Sequence, residues 1–215
     1  MDSVDNFYHI KNQLNTNSNN VKIIVVTKSF SLEKINPLLK IGHLHYGENR
    51  VQEAVSKWSL TLKNNSDINL HLLGHLQSNK VSEVVSLFNF VHSLDSEKLA
   101  IKFNEAENNI NRKLKYFIQV NIGAESQKYG VPISEVLNFL NFCRKETHLN
   151  VIGLMCIPPI SNNPSNYFSQ LKELSILNNL SELSMGMSSD YMEAVKCGAT
   201  FVRIGSAIFG KRIWF

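Results

Sequence analysis

Residues 21–28 read VKIIVVTK. Ile23, Ile24, Val25 and Val26 form a short unbroken run of β-branched residues. Such a run suits a strand covered on both faces, as in a parallel sheet, where neither face meets water and alternation is lost. A buried helix can share the pattern, but short length and β-branching favour a strand. Thr27 and Lys28 close the run and Ser29 follows it. In parallel α/β folds the C-terminal ends of strands carry the ligand and the chemistry. A lysine there is partly desolvated, which favours its neutral amine. A neutral amine can attack an aldehyde and form a Schiff base. The bland alternative is a strand-end lysine that points to water.

Units of the same kind extend in both directions. Val4, Phe7, Tyr8 and Leu14 sit at helical spacing, with Ser3 as a candidate cap, so residues 1–20 are read as an N-terminal helix and polar turn. Further strands are expected at 43–46, 69–73, 90–92, 115–121, 151–156, 182–185 and 200–204, all but the last followed by a helical pattern. Gly153 interrupts the strand at 151–156, and Pro37 sits awkwardly in the first helix after residue 28. Asn49 with Gln52, and Asp190 with Glu193, have capping-box spacing, and Asp95 and Ser96 offer a further cap. Alternating strands and helices imply right-handed crossovers and a parallel sheet. Eight units suggest an α/β fold in which residues 21–211 form a single (β/α)8 TIM barrel. A doubly wound open sheet is the alternative. No composition break marks a second domain, so 1–215 reads as one unit.

Composition narrows the function. A net charge of +4 without a Lys/Arg cluster or aromatic–basic ladder argues against nucleic acid. Three cysteines, Cys143, Cys156 and Cys197, lack CxxC spacing and read as reduced thiols of a cytoplasmic protein. The seven histidines show no ligand pair such as HExxH, so no metal is expected. No signal-peptide pattern opens the chain and no apolar run reaches a membrane span.

In a barrel the phosphate site is often made by the loops after strands seven and eight. Here these are Gly186-Met187-Ser188-Ser189 and Gly205-Ser206-Ala207, small and hydroxyl-bearing at helix starts. Glycines admit an anion to the backbone, and helix-start N–H groups are unpaired donors. Ordinary turn chemistry uses the same residues. Arg203 shares a strand face with Phe201, opposite Val202 and Ile204. Buried, it needs either a carboxylate or a ligand. An aldehyde for Lys28 and a phosphate for the last two loops together describe pyridoxal 5′-phosphate (PLP). Arg203 would then face the pyridine nitrogen. An arginine cannot give up its proton, so that nitrogen stays unprotonated and the ring is a weaker electron sink.

The chain resembles the pyridoxal phosphate homeostasis proteins, also called the proline synthase co-transcribed family. The stretches that carry the resemblance are Val25-Val26-Thr27-Lys28, Gly47 to Glu53, Gly74 to Lys80, Gly153-Leu154-Met155, Leu183 to Ala194 and Val202 to Gly210. The resemblance implies a barrel related to the N-terminal domain of alanine racemase, with PLP held as a Schiff base on Lys28. It places Ser188, Gly205 and Ser206 near the phosphate, Arg203 near the ring nitrogen and Asn49 near the cofactor. It implies a carrier or buffer of PLP that keeps cofactor and amino-acid pools in balance, without established turnover. Two departures are visible: Arg50 where many members have tyrosine, and Gln127 where serine is common.

The expected function is therefore a non-enzymatic PLP-binding protein, monomeric, with transient contact to PLP enzymes lacking their cofactor. The main rival is a single-domain racemase. Racemisation needs acid/base groups on both faces of the substrate carbon. The second domain of alanine racemase is expected to be absent, and Tyr46, Tyr129 and His75 are weak candidates for the second base. A cofactor-free aldolase using Lys28 is the third reading.

Overall fold

The computed structural model describes residues 2–16, 20–160 and 163–210. Its strands are β1 (Lys22–Val26), β2 (His45–Glu48), β3 (Asn69–Leu72), β4 (Phe90–Leu94), β5 (Lys115–Val120), β6 (Asn150–Cys156), β7 (Glu182–Met187) and β8 (Phe201–Ile204). They pair in parallel in chain order and close on themselves, so the barrel is formed and the open sheet is not. The closing seam sets Ile24 opposite Arg203 and Val25 opposite Ile204. Helices α1 (Ser3–Asn15), α2 (Leu32–Lys40), α3 (Val51–Asn64), α4 (Val81–Leu87) and α5 (Glu97–Ile110) belong to the first half. The second half carries α6 (Val136–Lys145), α7 (Ser165–Leu177), α8 (Tyr191–Lys196) and the four-residue α9 (Ser206–Phe209).

β1 is buried on both faces, as its composition predicts. Ile23 and Val25 join the large core between sheet and helices, while Ile24 points into the lumen with Phe90, Phe117, Met155 and Phe201. Burying each of these large side chains stabilises the fold by about 2 kcal/mol. The rest of the lumen is polar, with His71, His92, Ser184 and Arg203 all buried.

Several local expectations are corrected. The cap of α1 is Asp2, not Ser3: its carboxylate accepts from Val4 N at 2.8 Å and Asp5 N at 2.9 Å. Tyr8 is exposed, and Ile10 takes the buried place between Phe7 and Leu14. Pro37 lies inside α2; it and Glu33, whose carbonyl loses a donor, both face water, which limits the cost. Neither expected capping box forms: Arg50 and Asp190 occupy the cap positions of α3 and α8 without a side-chain cap bond. Ser96 likewise holds the cap position of α5 with no such bond. β2 begins two residues later than expected, at His45, and runs to Glu48. β4 and β7 run on to Leu94 and Met187. Gly153 does not break β6; a side chain there would put Cβ 2.0 Å from the Glu182 carbonyl oxygen, so glycine lets β7 approach. The expected polar turn at 15–20 and residue 211 lie partly or wholly outside the described residues.

Candidate functional site

Lys28 follows β1 by two residues and is half-buried. Its neighbours on both sides are tied to α3. Thr27 donates its hydroxyl to Glu48 Oε1 at 2.6 Å, and the Thr27 carbonyl accepts from Lys57 Nζ at 2.8 Å. On the other side the Ser29 N–H donates to Glu53 Oε1 at 2.5 Å. Lys57 bridges the two acids, 2.9 Å from Glu48 and 2.9 Å from Glu53. Glu48 is fully buried and its Oε1 also accepts from Trp58 Nε1 at 2.9 Å. Partial burial pushes the Glu53 carboxyl up, but the Lys57 hydrogen bond, the Ser29 N–H and nearby cations outweigh it and hold it below the ordinary value of 4.5. Ser29 has a φ of 66°, a left-handed conformation unusual for serine, and the clamp holds it there.

Asn49 follows β2 on the same rim. Gly74, after β3, touches its backbone so closely that an added Cβ would lie 2.2 Å from the Asn49 carbonyl oxygen. This contact fixes where Asn49 stands and explains the glycine.

Across the mouth, the loops after β7 and β8 are joined by one hydroxyl. Ser188 Oγ accepts from the N–H of Gly205 at 3.3 Å and of Ala207 at 3.2 Å. Ser206 is exposed beside it. Asp190 turns back to accept from Met187 N at 2.6 Å, which shapes the first of these loops instead of capping α8.

Arg203 is 5% exposed. Its Nη1 donates to the Ser184 carbonyl at 2.7 Å and to Ser184 Oγ at 2.8 Å, and its Nη2 to the Cys156 carbonyl at 2.8 Å. Among the described residues no carboxylate forms an ion pair with it, so the carboxylate alternative is not realised. Burial pushes its pKa below the ordinary guanidinium value, while Cys156 and Asp190 oppose the shift through space. Burial also drives the Cys156 thiol up to about 12, which leaves it inert.

Lys28, Asn49, Ser188, Arg203, Gly205 and Ser206 all line one cavity of about 680 Å³ at the C-terminal mouth of the barrel. Val26, Phe30, Leu73 and Ile157, which the sequence did not mark for the site, join Met187 in giving it an apolar wall. An amine, a guanidinium with N–H groups beyond those bound to protein, and hydroxyl and N–H donors on the opposite rim suit an aldehyde, a ring nitrogen and a phosphate. The donor set therefore fits PLP. The weak acid/base candidates lie elsewhere. Tyr46 is buried against Trp58, with ring centroids 4.9 Å apart, and burial raises its pKa. His75 stacks on Tyr129 at 3.7 Å and lies 3.5 Å from Asp95, outside the cavity lining. Arg50 and Gln127, the two departures, are exposed and do not line the cavity either.

A family model described as alanine racemase, N-terminal domain, matches residues 3–212. A protein of Pasteurella multocida named pyridoxal phosphate homeostasis protein is 34% identical over 96% of this chain and 93% of its own. One of Schizosaccharomyces pombe with the same name is 37% identical over 93% of this chain and 88% of its own. The structure of PipY from Synechococcus elongatus with PLP bound is 32% identical, with a TM-score of 0.86 over 97% of this chain and 100% of that one. An alanine racemase of Clostridium difficile shares the fold alone, at 15% identity and a TM-score of 0.77 over 98% of this chain and 58% of that one. Among the described residues no helix is long and apolar enough to cross a membrane.

Proposed function

From a chain that belongs to the pyridoxal phosphate homeostasis protein family, within the alanine racemase N-terminal-domain group, we propose a PLP-binding protein that carries or buffers the cofactor. The observation that carries this reading is the convergence of Lys28, Arg203 and the 188 and 205–206 loops on one cavity. PipY with PLP bound supports it at 32% identity.

When bound, PLP supplies an aldehyde carbon for covalent attachment and a ring that can draw electrons from that carbon. Lys28 provides the amine that attacks the aldehyde, and the Glu48–Lys57–Glu53 clamp holds the backbone on either side of it. Ser188, Gly205 and Ser206 bind the phosphate with hydroxyl and N–H donors. Arg203 donates to the ring nitrogen and, staying charged, keeps it from taking a proton. Asn49 orients the ring from the β2 rim.

The protein holds the cofactor without turning over substrate. Besides Lys28 and Arg203, the cavity lining contains no titratable side chain among the described residues, which leaves one face of a bound amino acid without a base. Residues 1–215 act as one cytoplasmic binding unit. The chain works as a monomer and meets cofactor-free PLP enzymes only in passing.

The test is direct. Purified protein mixed with PLP turns yellow, and borohydride removes the colour and fixes one PLP to Lys28, located by mass spectrometry of peptides. An adduct on another residue, or none, overturns the proposal. Sustained racemisation of an amino acid, abolished by Lys28→Ala, would move the protein to the enzymes.

A further inference from the structure

Below Arg203 the barrel holds a line of imidazoles that the cavity does not use. His45 Nδ1 lies 3.0 Å from His71 Nε2, and His71 Nδ1 lies 2.9 Å from His92 Nε2. His92 Nδ1 lies 2.9 Å from Ser184 Oγ, the same oxygen that accepts from Arg203 Nη1. The line starts on β2 near the lower mouth, rises through β3 and β4, and crosses the lumen to β7, ending under β8. His71 and His92 are fully buried. Each is fixed by a stacked ring, His71 on Phe90 at 4.3 Å and His92 on Phe117 at 4.3 Å. Polar groups buried this deeply are costly unless paired. An aliphatic lumen would be the simpler solution for packing alone.

Donor counting gives the line a direction. An arginine N–H can only donate, so Ser184 Oγ accepts from Arg203 and must place its own proton elsewhere. Among the described residues the remaining partner of that oxygen is His92 Nδ1. His92 therefore accepts at Nδ1 and carries its proton on Nε2. That N–H donates to His71 Nδ1, and the His71 Nε2–H donates to His45 Nδ1. Each imidazole thus turns a lone pair toward the guanidinium and an N–H away from it. Lys22 and Lys115 stand near the lower end and, with burial, disfavour an imidazolium at His45. Neutral, aligned dipoles in a low-dielectric lumen reinforce one another.

We propose that His45, His71, His92 and Ser184 form a dipolar relay that stabilises and aims Arg203, standing in for the carboxylate that a buried arginine ordinarily pairs with. His92 and Ser184 are positioning residues. The relay leaves the other guanidinium N–H groups available to a ring nitrogen in the cavity, with no acid to compete for them. The part concerning the ring nitrogen rests on the proposed function; the direction of the line does not.

Two measurements separate these parts. Long-range ¹H–¹⁵N NMR of the protein without PLP is expected to show His71 and His92 neutral with the proton on Nε2. The other tautomer, or an imidazolium at His92 near neutral pH, overturns the relay whatever Lys28 does. PLP titration followed by absorbance then tests the aim of Arg203. His92→Phe and Ser184→Ala are each expected to weaken PLP binding about tenfold and to move the absorbance maximum of the bound cofactor. The double variant is expected to lose little more than either single, because both break one line. His92→Gln, which can accept from Ser184 and donate to His71, is expected to restore affinity and spectrum. His45→Phe gives a smaller change of the same sign. Folded His92→Phe and Ser184→Ala proteins with unchanged affinity and spectrum overturn the relay. If His92→Phe does not fold, Ser184→Ala carries the same readout. A parent protein that takes up no PLP overturns the proposed function, while the tautomers still decide the direction of the line.

Discussion

Lys28 reaches the cavity from a loop whose flanking residues are tied to two carboxylates, whereas Arg203 reaches it from inside a strand and is held by carbonyls and a serine hydroxyl. On the lysine side the acids, Glu48 and Glu53, grip residues 27 and 29 and are themselves bridged by a second lysine, Lys57. On the arginine side Ser184 and the imidazole line supply neutral dipoles. The contrast follows from what each cation must do. In the proposed function the amine would part with a proton and form a bond, and its backbone is held rigidly, by charges. The guanidinium never changes state, so aligned neutral groups suffice, and no anion draws its donors away from a ligand.

Substitutions can break this contrast, beginning with the largest effect. Lys28→Ala is expected to abolish the borohydride-fixed adduct completely while phosphate-side affinity persists, measured by mass spectrometry and by binding of a PLP analogue that lacks the aldehyde. A residual adduct would mean that another amine serves the site. Glu48→Ala strips the buried acceptor from Thr27, Lys57 and Trp58 and is expected to lower stability by about 3 kcal/mol in urea unfolding. A loss under about 1 kcal/mol would show that the clamp is ornamental. Ser206→Asp sets a carboxylate against the phosphate and is expected to weaken PLP about thirtyfold. Unchanged affinity would remove this loop from the anion site.

Acid separates the two sides by window. His43 and His45 are lowered from 6.5 to about 4, chiefly by burial, and His71 and His92 are also pushed well below 6.5. Their folded forms resist protons that the unfolded chain accepts, so stability is whole above pH 6.5 and declines as pH falls toward 4. The expected loss between pH 7 and pH 5 is about 2 kcal/mol for each of these histidines that stays neutral, several kcal/mol in all, read in urea unfolding; a flat profile would contradict it. Glu53 is depressed instead, so its contribution holds above 4.5 and is lost only below it. Being partly exposed, it adds less than about 1 kcal/mol, read as a shallower acid limb in Glu53→Gln. The arginine side therefore loosens before the lysine side.

The barrel was legible because short apolar segments, of which 23–26 is the clearest, alternate with helical patterns along the chain, and burial on both faces leaves its signature in that first run. Strand ends were less legible. The strand read at 43–46 lies at 45–48, because Gly47 continues it, facing the crowded lumen beside Ile24 and Leu73. Six candidate residues could be named from loop position and motif, and all six meet in one cavity. The capping boxes failed for local reasons: the Asp190 side chain shapes the loop before it, and backbone contact with Gly74 fixes Asn49. The supporting residues were invisible for a related reason. Glu53 and Lys57 have the spacing of an ordinary surface ion pair, and nothing in their spacing says that it braces a loop. Histidines 45, 71 and 92 showed no metal-ligand spacing, yet parallel strands bring them side by side, a juxtaposition that only register reveals.

The seam between β1 and β8 has a consequence for how the protein is made. Lys28 lies just past the first strand, and Arg203, Gly205 and Ser206 lie in or just past the last, so nascent chain emerging from a ribosome cannot assemble the pocket until its final strand is released and docks. If the proposed function holds, captured vitamin would reward only completed molecules, adding its binding free energy to the closed ring and none to unfinished ones.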